Sequence, residues 1–452
     1  MVLCAARPCP ASSLAALAAT LAICSLIPAC SRNGAPSLEK TEDDVEIPIP
    51  DVPEPPSEGP KLGALSDVTP VQDRPSRRGT RLGYLHAGAT VVRAAEPFGV
   101  RGCAGGWFPI RPKGFVCATG SATTDLRHPT LVAMGIAPDL GASLPYTYAR
   151  TTRDTEVYEP DPEREGGVRP LSSLPDSSGL AVVGSWTALD PAGKELRLAM
   201  TTEGRFVPTA ALRPAAASRF AGKVLEGRAK LPVAFVVKRG VHLFGVHDGV
   251  AEKQTPLDYH ARVDLTGHYV TVDDVELWET TDGGFVRARD VTLVRERHEL
   301  PAFVSDEVRW VDVSVLTGAV VAYQGGKPVY VTLASVSREH TDAPGGATAT
   351  ERGEFTVVAK HVTMRERDPA TFAENVAIYD APWAIELSSG QLVVGAYWHD
   401  RFGIEHGPGN VELSPTDAAW LFRFLGPAVP DGWHGASSGL SSDKPALVNV
   451  RK

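Results

Sequence analysis

Cysteine gives out early in this chain. The six cysteines stand at 4, 9, 24, 30, 103 and 117, and none follows Cys117 in a sequence of 452 residues. Thiol chemistry and cysteine-rich metal centres are therefore excluded from everything beyond that point. Long apolar runs are equally scarce. One stretch, Leu14 to Ala29, is of signal-peptide length, which excludes a polytopic membrane protein. Basic clusters are missing too. With a formal net charge of −9 and no run of Lys or Arg, nothing supplies a footprint for nucleic-acid phosphates. No His-Glu-x-x-His zinc motif, phosphate-binding glycine loop or Gly-x-Ser-x-Gly elbow occurs, and no cofactor or metal ligand set is implied along the chain.

Turn formers are abundant. The 43 Gly and 37 Pro exceed the usual shares of about 7% and 5%, and both break helices. Hydrophobic residues at 43% and charged residues at 22% suffice for packed cores, and the length allows about two to four domains. The chain reads as mainly β.

The N-terminal segment 1–29 carries Arg7 and the apolar run, and ends Ile27-Pro28-Ala29-Cys30. That ending resembles a bacterial lipobox, which implies acylation of Cys30 and a lipid anchor in the membrane. Ser31 in the next position implies the outer membrane rather than the inner one. Residues 30–78 are rich in Pro, Glu, Asp and Ser, as in 46–57, and hold little to bury, so a disordered or polyproline-like linker is expected.

Between 79 and 125 short β-type runs alternate with glycine turns. Leu85, Gly88, Val91, Gly106-Trp107 and Gly114-Phe115-Val116 resemble a bacterial SH3-like module. Cys103 and Cys117 are expected to form a disulfide across it, as exported proteins do. Over 126–305 the pattern of glycine, aromatic and alternating apolar residues returns at 203–212 and 283–293, which points to one or two further β-modules.

The stretch 309–336 alternates over two strands around the turn Gln324-Gly325-Gly326. It resembles the opening of the L,D-transpeptidase catalytic domain (YkuD-type), whose members act on peptidoglycan stem peptides through a cysteine acyl-enzyme. Thr350, Gly353 and Phe355 match that family's Thr-Pro-x-Gly-x-Phe, with Glu351 in place of proline. Residues 394–425 match its closing motif, His-Gly-x-x-Trp-His-x-x-Phe-Gly followed by Ser-His-Gly-Cys-x-Asn-Leu-Ser-Pro-x-Asp-Ala, without a gap. Gly395, Trp398, His399, Phe402, Gly403, Leu413, Ser414, Pro415, Asp417 and Ala418 agree. The resemblance covers about 308–436, and a β-sandwich with short helices is implied for 306–436.

The same frame shows which chemistry is missing. Val394 stands at the first histidine, Gly407 at the serine, Pro408 at the catalytic histidine, Asn410 at the nucleophilic cysteine and Glu412 at the following Asn or Arg; Gly409 and Val411 survive. Without thiolate and base the acyl-enzyme cannot form. The expectation is a peptidoglycan-binding or scaffolding envelope protein that is no longer an enzyme. The alternatives are a transpeptidase with an unrecognised nucleophile, or a structural module that binds another envelope protein. Trp398, His399 and His406 are candidates to line a ligand cleft. Glu405 and His406 are neighbours that a strand would point to opposite faces. Ser414 or Asp417 is expected to serve a helix N-terminus, and 437–452 is expected to be a loose tail.

Overall fold

The computed structural model describes residues 51–227, 230–338, 349–365, 376–407 and 409–452. Strands dominate it, with two short α-helices, Pro129–Ala133 and Pro415–Phe424. The signal segment, Cys30 and Pro408 lie outside the described residues.

Three small β-modules precede the C-terminal domain. The first runs from Lys61–Ala64 to Ala122–Thr123, the second from Thr147–Thr151 to Leu212–Pro214, and the third from Val233–Val236 to Val291–Val294. Each has seven strands. Counted within its own module, the order across the sheet is third, second, sixth, fifth, fourth, first, seventh in the second and third modules. The first module repeats it in two pieces joined between fourth and fifth strands by a bridge, Arg93 to Ile110. The sixth strands are Phe115–Cys117, Phe206–Pro208 and Phe285–Arg287. The glycine-then-aromatic signals at 114, 204 and 284 therefore mark one recurring structural position. Gly114, Gly204 and Gly284 all have positive φ, the backbone region that glycine enters without a side-chain clash.

Two sequence expectations need correction. The segment 30–78 is not linker throughout, because Lys61–Ala64 and Thr69–Gln72 supply the first module's first two strands and bury Leu62, Ala64 and Val71. Even Glu54 and Pro55 are tied down, by the Arg111 guanidinium. The surrounding prolines and acids mask four-residue strands in any composition window. The tail 437–452 is not loose either, since Leu447–Arg451 is an internal strand.

The expected disulfide is formed: Cys103 and Cys117 are bonded, with Cα atoms 5.8 Å apart. Trp107 and Phe115 pack beside it. We expect both cysteines to resist alkylation until reduced. Replacing both with Ala should cost about 2–5 kcal/mol of this module's stability in urea unfolding. Labelling of the unreduced folded protein would refute the pairing.

In the C-terminal domain we label β1 (Arg309–Ser314), β2 (Ala319–Gln324), β3 (Lys327–Ser335), β4 (Gly353–Met364), β5 (Ala381–Leu387), β6 (Leu392–Gly395), β7 (Val411–Leu413), α1 (Pro415–Phe424), β8 (Gly435–Ser437) and β9 (Leu447–Arg451). Pairing runs β1–β2–β3–β7–β6–β5–β4–β9 and returns to β1, a closed circuit. Two of its pairs are parallel, β6 with β7 and β1 with β9. Val311, Val320, Val357, Ile385, Val393 and Leu413 enclose a core into which α1 sends Ala418, Leu421 and Phe422. Buried side chains of that size contribute about 1.5–3 kcal/mol each.

Helix α1 is pinned at both ends. Ser414 caps it, its hydroxyl accepting from the Asp417 N–H, and Pro415 occupies the first turn, where its missing N–H costs nothing. At the other end the buried Lys360 ammonium donates to the Phe422 and Leu425 carbonyls. Burial lowers the Lys360 pKa to about 7. Asp312, also buried, accepts from Arg297, Asn449 and Arg451 and so clamps β9 against β1.

Strand β8 joins the first module to this domain by pairing with both β4 and Arg81–Leu85. At that seam His434 is buried among Tyr84, His86 and Tyr146, with His361 close by on β4. Burial, followed by the fields of His86 and His361, drives the His434 pKa well below its ordinary value, and burial lowers that of His86. At these two histidines the unfolded chain binds more protons than the folded one below about pH 6.5, so their contribution makes stability fall on acidification through that range. We expect the thermal midpoint to drop between about pH 7.5 and 5.5, and His434→Asn to flatten that slope. An unchanged slope in the variant would assign the acid sensitivity elsewhere.

Candidate functional site

The residues that the sequence resemblance singled out gather where β6 and β7 run side by side. The parallel register sets Val394 opposite Glu412. Val394 is fully buried in an apolar cluster with Ala396, Tyr397 and Phe402, so this position is hydrocarbon core. Asn410, in the place of the nucleophile, turns its side-chain carbonyl to the Leu392 N–H at 3.0 Å. That hydrogen bond seals the start of β6. Gln391 completes the local lattice, donating to the carbonyls of Gly409 and Ala349 and accepting from the Glu351 N–H.

Glu412 is fully buried. Its carboxylate lies 2.6 Å from His399 Nε2. His399 Nδ1 accepts from the Arg401 N–H at 3.1 Å, so the neutral ring carries its proton on Nε2 and donates it to Glu412. His406 stands edge-on to His399, with ring centroids 4.6 Å apart. Gly407 makes room for this arrangement. Its φ is +97°, and a Cβ there would lie 2.9–3.1 Å from the Glu412 carboxylate atoms. Glycine at 407 is thus required by the glutamate five residues on.

Glu405 and His406 do diverge. Glu405 forms a bridge to Val336 and its carboxylate accepts from the Arg338 N–H, while His406 joins His399. Of the three cleft candidates, His399 and His406 come together and are partly exposed, whereas Trp398 is buried in the core behind them. Its carbonyl accepts from Arg150 of the second module. Asp417 shares no chemistry with this group. It is a buried residue of the first turn of α1, accepting from the Gly222 N–H, Tyr330 and Thr332.

Sequence reasoning singled out Glu412 only as a motif departure and assigned no metal ligand. The structure gathers His399, His406 and Glu412 so that one ligand atom from each lies within 4.8 Å of the others. The spacing 399, 406, 412 matches no short motif. The signal available was the simultaneous change of Gly407 and Glu412.

No protein-family model matches the chain, and no curated protein matches it. Solved structures similar to it include an L,D-transpeptidase from Stackebrandtia nassauensis, 17% identical over 33% of this chain and 58% of that one, with a TM-score of 0.23. An L,D-transpeptidase from Xylanimonas cellulosilytica is 18% identical over 34% of this chain and 65% of that one, with a TM-score of 0.24. The L,D-transpeptidase from Mycobacterium smegmatis is 14% identical, covering 53% of this chain and 100% of that one, with a TM-score of 0.25. The similar region thus spans 58% and 65% of the length of the first two.

Proposed function

We propose that this chain is a cell-envelope lipoprotein whose C-terminal domain descends from an L,D-transpeptidase and binds peptidoglycan or its stem peptides without cross-linking them. The observation that carries the proposal is the fate of the nucleophile position. Asn410 spends its side chain on the Leu392 N–H, and the two cysteines among the described residues, Cys103 and Cys117, are bonded to each other. An acyl-enzyme needs a thiolate. A hydrogen-bonded amide supplies neither nucleophile nor leaving group.

In this reading Cys30 carries the lipid anchor. The three N-terminal modules are SH3-like and present the C-terminal domain, or bind an envelope partner. Among the described residues no helix is long and apolar enough to cross a membrane. Co-sedimentation of the purified chain with sacculi tests the binding. Retention that soluble muropeptides compete away supports it. Failure to sediment would leave the modules as the functional part and shift the role to protein binding.

A further inference from the structure

Two histidines and a buried glutamate converge where β6 and β7 meet, and they are a chemically coherent set. Imidazole nitrogens with one carboxylate oxygen suit zinc and its neighbours, and three protein ligands leave a fourth position for water or a ligand oxygen. Ligand atoms about 2.0–2.1 Å from a tetrahedral ion stand about 3.3 Å apart. The 2.6 Å His399–Glu412 contact must therefore open slightly, and the group spread over 4.8 Å must draw in.

Three features suit the cluster to an ion. Glu412 is wholly buried, and its partner His399 is 7% exposed at the side chain, so the base of the site is fixed by packing. His406 is partly exposed and gives access from solvent. Gly407 leaves clear the volume against the carboxylate that any other residue would fill.

We propose that His399, His406 and Glu412 form a binding site for a single divalent transition-metal ion, zinc by the chemistry of its ligands. On binding, three dative bonds form and the Nε2–H to Glu412 hydrogen bond is lost. The His399 proton moves from Nε2 to Nδ1. There it ends the acceptor contact with the Arg401 N–H, a group on an exposed residue that can turn to water. No net proton leaves His399, and no oxidation or reduction is involved. The site is separate from the transpeptidase chemistry and stands whether or not the domain binds peptidoglycan.

The test is zinc titration of the full mature chain after chelator treatment, followed by calorimetry, with cobalt as a visible-absorption probe. We expect one ion per chain at submicromolar affinity and the intense d–d bands of a four-coordinate cobalt site. His406→Ala should weaken binding by more than the roughly 10–100-fold that loss of an outer-sphere partner causes. Glu412→Gln should do the same and abolish the cobalt bands. His268→Ala, at an exposed histidine of the third module, should change neither. Because Glu412 is buried and its variant is at risk of misfolding, His406→Ala is decisive, with circular dichroism as its folding control. Equal affinity in wild type and His406→Ala, or no stoichiometric binding at all, would overturn the proposal and leave His399–Glu412 as a hydrogen-bonded structural pair.

Discussion

Asp417→Ala is expected to unfold the C-terminal domain at denaturant concentrations where the wild type is intact. Three donors converge on this carboxylate: the Gly222 N–H at 2.7 Å, Tyr330 Oη at 2.6 Å and Thr332 Oγ1 at 2.5 Å. Burial raises the Asp417 pKa, and these three donors with Ser414 act against that rise. Removing the carboxyl leaves three polar groups without their acceptor, at about 1–3 kcal/mol each. Because the three share one partner their losses are not additive, and a total of about 3–5 kcal/mol is expected. Urea unfolding followed by tryptophan fluorescence should show the shift, since Trp420 stacks on Tyr330. Asp417→Asn retains one acceptor and should recover part of the loss. A variant as stable as the wild type would mean that water replaces the carboxylate.

The second large effect is an absence. The purified chain should form no covalent adduct with a carbapenem by intact-mass spectrometry and show no turnover of stem-peptide substrates above buffer. Asn410→Cys alone should stay at that background. Val394 offers no base, and a new thiol keeps a pKa near about 8.5 without a neighbouring cation. The substitution also deprives the Leu392 N–H of its acceptor, so a modest loss of stability should accompany it. Adding Val394→His and Pro408→His to Asn410→Cys must place an imidazole where Val394 is now fully buried. Any activity in the triple variant would therefore report how far that core can rearrange. Turnover by the unmodified chain, lost on mutation of His406, would reverse the functional reading and point to the metal site.

The β class was legible because its signals are local. Glycine turns, short alternating runs and the helix start at Ser414-Pro415 depend on neighbours in sequence. The repeated module was half legible: the echoes at 203–212 and 283–293 belong to its sixth and seventh strands, but its first two strands in the N-terminal copy hide among prolines. Strand β9 was missed because a five-residue segment with two polar residues, at the end of a polar stretch, gives no hint that Asp312 waits for Asn449 and Arg451. At the site, the departures from the resembled motif at 394, 408 and 410 are a matter of sequence alone. The cluster is not, because the meeting of residues 399, 406 and 412 is made by the parallel register of β6 and β7 and by the turn at Gly407.

The position of β9 governs how this domain must be born. It lies between β1 and β4, and its Asn449 reaches an Asp312 that is 137 residues earlier in the chain. Until 447–451 arrive, the circuit stays open, with two unpaired strand edges facing water. Pairings of such long sequence separation form slowly. The chain should then spend a prolonged interval as an incomplete sheet, vulnerable to edge-to-edge association.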